Sequence, residues 1–205
     1  MPGLILQTDA IIIDKRPASD SFQTFHAFSP LEGALTILQR VPKKAASGFV
    51  SLDLFDTAAL LMESSNQGRT WFVKEARILI RRLKIGRGYA PLRHACDLCA
   101  LVQRNPVHQE SRPPVTLLLS TALDAFETAA RPDVVLFKAV FRFARDEGYP
   151  VRQEWLPLLG AADRARADAL LSNPADRAEV DEPNVLRLIQ RLKDYLKHHT
   201  EVLID

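Results

Sequence analysis

The apolar residues of this chain change period once, near residue 78, and that change constrains the fold more than any other feature. Before it, hydrophobic residues run together briefly or alternate with polar ones, as on a strand. After it they recur every three to four residues, as on a helix. A chain divided in this way reads as an α+β protein of two successive bodies, a β body over residues 1–78 and a helical one over residues 79–205.

The β body resolves into five short segments. Residues 4–14 are β-branched and apolar and end at the polar break Lys15-Arg16-Pro17-Ala18-Ser19-Asp20. Phe22, Thr24 and His26 alternate with Gln23, Phe25 and Ala27, and Ser29-Pro30-Leu31-Glu32-Gly33 makes a turn. Residues 34–39 predict a third strand, 50–55 a fourth and 70–76 a fifth, with the polar turn Ser64-Ser65-Asn66-Gln67-Gly68 before the last. Five strands in about 75 residues suit a small closed barrel, of which the OB-fold is the five-stranded form. A two-sheet sandwich usually needs more strands.

The helical body begins with residues 89–103, ended by Asn105-Pro106, and continues with 115–130. A third helix opens at Pro132, carries Asp133 at the positive end of its dipole, and stops at Gly148 and Pro150. Its interior is apolar nearly all round, so neighbours must bury it on several sides. Residues 163–171 predict a short helix. Pro183 opens a last one, with the apolar stripe Val185, Leu188, Ile189, Leu192, Tyr195 and Leu196.

Charge is distributed unevenly. The 27 basic and 25 acidic residues leave a net charge of only +2. That excludes a histone-like polycation and an acidic disordered chain but not a local patch. Arg69, Lys74, Arg77, Arg81, Arg82, Lys84, Arg87 and Arg93 lie in one stretch interrupted by the single acid Glu75. Arg40, Lys43 and Lys44 follow the third strand. Nucleic acid is bound mainly through its phosphates, and barrels of this type add aromatic platforms on which bases stack. The expected DNA-binding residues are therefore Arg40, Lys43, Lys44, Arg69, Lys74, Arg77, Arg81, Arg82, Lys84 and Arg87. Trp71 and Phe72 lie among them, but adjacent strand residues face opposite ways, so at least one belongs to the core.

No catalytic motif is found: GxxxxGK[ST], GxGxxG, GxSxG and HExxH do not occur. His94-Ala95-Cys96-Asp97-Leu98-Cys99 contains a CxxC, but zinc needs about four ligands and no second cluster exists. On a helix these cysteines read as small apolar residues, and the adjacent His198 and His199 diverge by about 100°. A non-catalytic protein without metal or cofactor is expected. Met1-Pro2-Gly3-Leu4 shows no cationic segment followed by an apolar core, and no run approaches a membrane span, so a cytoplasmic protein with reduced thiols is expected.

The order of these features resembles a known family, the bacterial recombination mediator RecO. The match is carried by Thr8-Asp9-Ala10-Ile11-Ile12-Ile13, by Arg16-Pro17 with Ser19-Asp20, and by residues 22–28. It continues through Gly33 to Arg40, Lys43 and Lys44. Residues 137–149, ending in Gly148-Tyr149-Pro150, and Tyr195-Leu196-Lys197-His198-His199 extend it. The paired CxxC motifs that many relatives carry after the Gly-Tyr-Pro stop are absent from residues 151–159, and the chain is shorter than typical members. The resemblance implies binding of single- and double-stranded DNA, strand annealing and help in loading the RecA recombinase during repair of DNA damage. It further implies RecR and the acidic tail of single-strand-binding protein as partners. A receptor for such a tail needs an apolar pocket with cations on its rim. Lys138 and Arg142, four apart on the third helix beside Phe137, Val140 and Phe141, are the expected partner-binding cations. The alternative is an adaptor that keeps the fold without DNA affinity.

Overall fold

A computed structural model describes residues 3–42 and 49–204. Five strands close a barrel in the order β1-β2-β3-β5-β4: β1 (Leu4–Lys15), β2 (Phe22–Ser29), β3 (Gly33–Arg40), β4 (Thr57–Ser64) and β5 (Trp71–Ile80). Together with the helices that follow, this is an α+β architecture with an OB-fold-like barrel. Closure depends on the length of β1. Its residues Leu4 to Ile11 pair antiparallel with β4, while its far end, Ile11 to Lys15, pairs with β2. A register shift between Ile12 and Asp14 lets one strand serve both neighbours, because a bulge bends the strand and increases its twist. The ring is completed by a parallel seam in which Ile37 faces Trp71 and Leu38 faces Phe72.

Alternation sorts the side chains. Ile12, Phe25, Ala27, Leu35, Ile37, Ala58, Leu60, Met62 and Trp71 fill the interior, and every second residue turns outward. Of the adjacent pair, Trp71 is therefore core and Phe72 lies half-buried outside.

The fourth strand corrects the expectation. Residues 50–55 do not form it; Thr57–Ser64 does. The sequence Thr-Ala-Ala-Leu-Leu-Met-Glu-Ser has the composition of a helix, but its alternately buried positions pair with β1 on one side and β5 on the other. Tertiary pairing overrides propensity here. Residues 50–55 instead cross from β3 to β4 as irregular chain, held in part by one buried side chain. The Gln39 amide donates to the Val50 carbonyl at 2.7 Å, and its oxygen accepts from the Leu52 N–H at 3.1 Å, so Gln39 replaces a strand partner and seats Leu52 in the core. Gln39→Ala should cost about 2 kcal/mol, since it strands a buried N–H. Urea unfolding followed by circular dichroism checks this, and a change below about 0.5 kcal/mol would mean the crossing segment is held by something else.

The helices are α1 (Tyr89–Arg104), α2 (Arg112–Thr128), α3 (Pro132–Asp146), α4 (Leu156–Leu158), α5 (Ala161–Ser172) and α6 (Glu182–His199). α2 starts three residues before the expected position, because Pro113 and Pro114 sit in its first turn, where an N–H needs no helical partner. α3 is central and packs against α1 and α6, with its apolar residues buried on most sides. Its end is a Schellman turn. Gly148 has φ of 90°, its N–H donates to the Arg145 carbonyl, and the Tyr149 N–H donates to the Ala144 carbonyl. A π-type turn over Val151–Trp155 then carries Trp155 onto Phe137 and Phe141, with ring centroids 6.2 and 6.1 Å apart.

The chain divides into two compact units. One comprises the barrel strands through Arg82 with Pro106–Thr116; the other comprises Leu83–Asn105 with the residues from Leu117 onward. Among the described residues no helix is long and apolar enough to cross a membrane, and no group of three His, Cys, Asp or Glu side chains could hold a metal ion. Cys96 is exposed and Cys99 buried.

Candidate nucleic-acid interface

The cations anticipated from the sequence separate into groups once folded. Arg40 and Lys74 come together. The parallel seam between β3 and β5 covers Leu38 and Phe72, and beyond it a groove of about 550 Å³ opens. Arg40, Phe49, Val50, Val73, Lys74 and Glu75 are among its lining residues. Lys74 occupies a bulge, since Leu61 pairs with Glu75 while Met62 pairs with Val73, and the extra residue turns the ammonium outward. It meets Glu63 at 2.5 Å. Both groups are well exposed, so the pair is weak and a phosphate can displace the carboxylate.

Beside the groove sits an aromatic pair. Phe22 faces Arg40 across the β2–β3 ladder, and its ring meets Phe72 edge-on, with centroids 5.6 Å apart at 71°. Phe22 and Phe72 are half-buried, and Phe49, at the groove itself, is exposed. Phe22 and Phe49 did not emerge from the sequence as site residues. The signal for Phe22 is its outward register opposite Arg40, which needs the strand pairing; Phe49 stands outside any strand and gave none.

Arg69 is exposed in the β4–β5 turn. That turn is closed on side chains: Ser64 Oγ accepts the Gly68 N–H and Asn66 Oδ1 accepts the Thr70 N–H. Arg77 is exposed on β5, opposite Ala59. Lys43 and Lys44 lie outside the described residues.

The two consecutive arginines have internal partners. Arg81 donates through Nε and Nη2 to the Asp56 carboxylate at 3.1 and 2.8 Å, and through Nη2 to the Ser51 carbonyl at 2.7 Å. The hydrogen bond to Asp56 raises the Arg81 pKa above its ordinary value. Arg82 is buried, and its Nη1 donates to the Phe55 carbonyl and to Thr57 Oγ1, both at 2.9 Å. Both side chains tie the crossing segment to the barrel. Lys84 and Arg87 are exposed in the helical unit, around the 3₁₀ turn Ile85–Arg87.

Lys138 and Arg142 border a separate cavity of about 320 Å³ within the helical unit. Leu118, Ala122, Val135, Ala139 and Phe141 supply apolar wall, and Arg145 and Arg152 join the two expected cations at the rim. Lys138 Nζ donates to the Asn173 carbonyl at 2.5 Å, and desolvation by burial lowers its pKa. Arg142 and Arg145 both reach Asp146. Four cations thus stand around an apolar wall.

No family model matches this sequence, and no curated protein matches it.

Proposed function

We propose that the protein is a non-catalytic DNA-binding accessory factor of recombinational repair, acting in the cytoplasm. The observation that carries the reading is the groove beyond the β3–β5 seam, where Arg40 and Lys74 stand beside the Phe22–Phe72 pair and the exposed Phe49. Cations there neutralise phosphates and release condensed counterions, while aromatic edges receive unstacked bases. The sequence carries no base-reading motif, and binding through phosphates and stacking is expected to be weakly sequence-selective. Neutralising two backbones on one protein removes their mutual repulsion, which is the physical content of strand annealing. Recombinase loading, and RecR-like and single-strand-binding proteins as partners, follow from the resemblance to RecO; the cation-rimmed cavity on α3 has the chemistry that an acidic, apolar-ended tail requires.

A second reading, an interaction adaptor without DNA affinity, is favoured by the internal engagement of Arg81 and Arg82. Titration of a fluorescent oligothymidine at two salt concentrations separates the two. The wild type should bind with a negative log–log salt slope. Arg40→Ala with Lys74→Ala should weaken binding about fivefold and flatten the slope by about 1.4, at roughly 0.7 per lost single-strand contact. Absence of wild-type binding would leave the adaptor.

A further inference from the structure

One carboxylate in the helical unit gathers three arginines. Asp163, in the first turn of α5, accepts from Arg166 Nη1 at 2.9 Å and Arg187 Nη2 at 2.6 Å on one oxygen, and from Arg191 Nη1 at 2.7 Å on the other. The carboxylate is 13% exposed, whereas the three guanidinium side chains are 38%, 51% and 43% exposed. The cluster therefore presents an excess of two positive charges at a point. Arg131 and Asp133, by contrast, pair one to one. The hydrogen bond from Arg187, with those from Arg166 and Arg191, holds the Asp163 carboxyl below its ordinary pKa of 3.8, so it stays charged and keeps the arginines convergent.

The cluster continues into an aromatic ledge. Arg187, Arg191, Tyr195 and His199 are spaced by four on α6, so they form a row that climbs roughly 6 Å and turns about 40° per step. Tyr195 stacks on His199 with centroids 5.0 Å apart at 23°, and the His199 side is exposed. Arg191, Trp155, Leu158, Tyr195 and His199 line a cavity of about 240 Å³. The nearby acids are engaged: Asp194 accepts from Gln190, and Glu154 accepts the Tyr195 hydroxyl.

We propose that this face of α6 binds a second single strand of nucleic acid, with phosphates on Arg187 and Arg191 and a base against the His199 ring. The inference rests on the reading of the protein as a DNA binder and deepens it, because annealing requires two strands on one molecule. Guanidinium forks match phosphate oxygens two at a time, and Asp163 has already brought them together, so less ordering remains to be done on binding. A stacking ring roughly 12 Å along the helix from Arg191 and roughly 18 Å from Arg187 favours nucleic acid, whose phosphates and bases recur along a strand, over an acidic peptide.

The test uses the full chain. Protein is loaded on an immobilised oligothymidine, and capture of a second, fluorescent oligothymidine is measured in about 0.1 M salt. Wild type should capture the second strand. Arg187→Ala with Arg191→Ala should weaken that capture about tenfold and flatten its salt slope by about 1.4, leaving first-strand affinity within twofold. Should that variant fail to fold, Arg187→Lys with Arg191→Lys keeps both charges without the fork and should still lose about threefold. Failure of the wild type to bind the first strand would overturn the DNA-binding reading itself. First-strand binding with wild-type second-strand capture in both variants, or with no second capture in the wild type, would overturn this site alone. So would displacement of the second strand by an oligoaspartate peptide at equal concentration, which would make the surface a peptide site.

Discussion

Replacing Arg81 or Arg82 with methionine should lower the unfolding free energy by about 3 kcal/mol in each case, with little effect on DNA affinity. Arg81→Met leaves the Asp56 carboxylate, 2% exposed, with the Asp53 N–H as its remaining hydrogen-bond donor among those described. Stranding a buried charge costs about 3–5 kcal/mol, and the 39% exposure of the Arg81 side chain, which admits water to that side, puts the expectation at the low end. Arg82→Met keeps the apolar stem but removes the donor to the Phe55 carbonyl. Phe55 holds φ of 68°, a conformation that costs a bulky residue energy and persists only when its surroundings enforce it. Urea midpoints at constant m-value measure both effects. A variant of unchanged stability but tenfold weaker oligothymidine binding would instead make that arginine a phosphate contact.

The second large effect is expected in the α3 cavity. Lys138→Glu with Arg142→Glu should weaken binding of a peptide of four aspartates ending in phenylalanine by about 100-fold. Each reversal exchanges attraction for repulsion, and about 1.4 kcal/mol apiece gives that factor. The phenyl ring has apolar wall to enter at Leu118, Val135 and Phe141, so the apolar part of the binding survives and the charged part does not. The exposed Arg142–Asp146 pair gives up little when a ligand replaces it. Fluorescence anisotropy of the labelled peptide reads the loss, and the oligothymidine titration should stay within twofold. Peptide affinity unchanged in a folded double variant would place any tail site elsewhere.

The barrel and the helices were legible because burial repeats along the chain. Phe25, Ala27, Leu35 and Ile37 alternate with outward residues, and Leu188, Leu192 and Tyr195 recur at helical spacing. The fourth strand was not legible, since nothing local distinguishes Thr57–Ser64 from a helix until β1 and β5 flank it. The cations expose a different limit. Their positions say that the centre of the chain is basic, but whether an arginine faces solvent depends on distant partners. Arg81 finds Asp56 and Arg82 finds the Phe55 carbonyl, each about 25 residues back along the chain. The convergence on Asp163 was hidden for the same reason, because Arg187 and Arg191 come from another helix, more than 20 residues along the chain. The aromatic pair needed the register that sets Phe22 against Arg40.

The chain's two tryptophans fall one to each unit: Trp71 inside the barrel and Trp155 under α3, both buried. Each unit thus carries its own intrinsic fluorophore, and single Trp→Phe variants turn one emission spectrum into two independent reporters. If the units melt separately, the Trp71 signal moves with substitutions at Arg81 or Gln39 while the Trp155 signal holds still. If they melt together, both shift as one, and cooperativity across the whole chain can be read from emission colour without any added label.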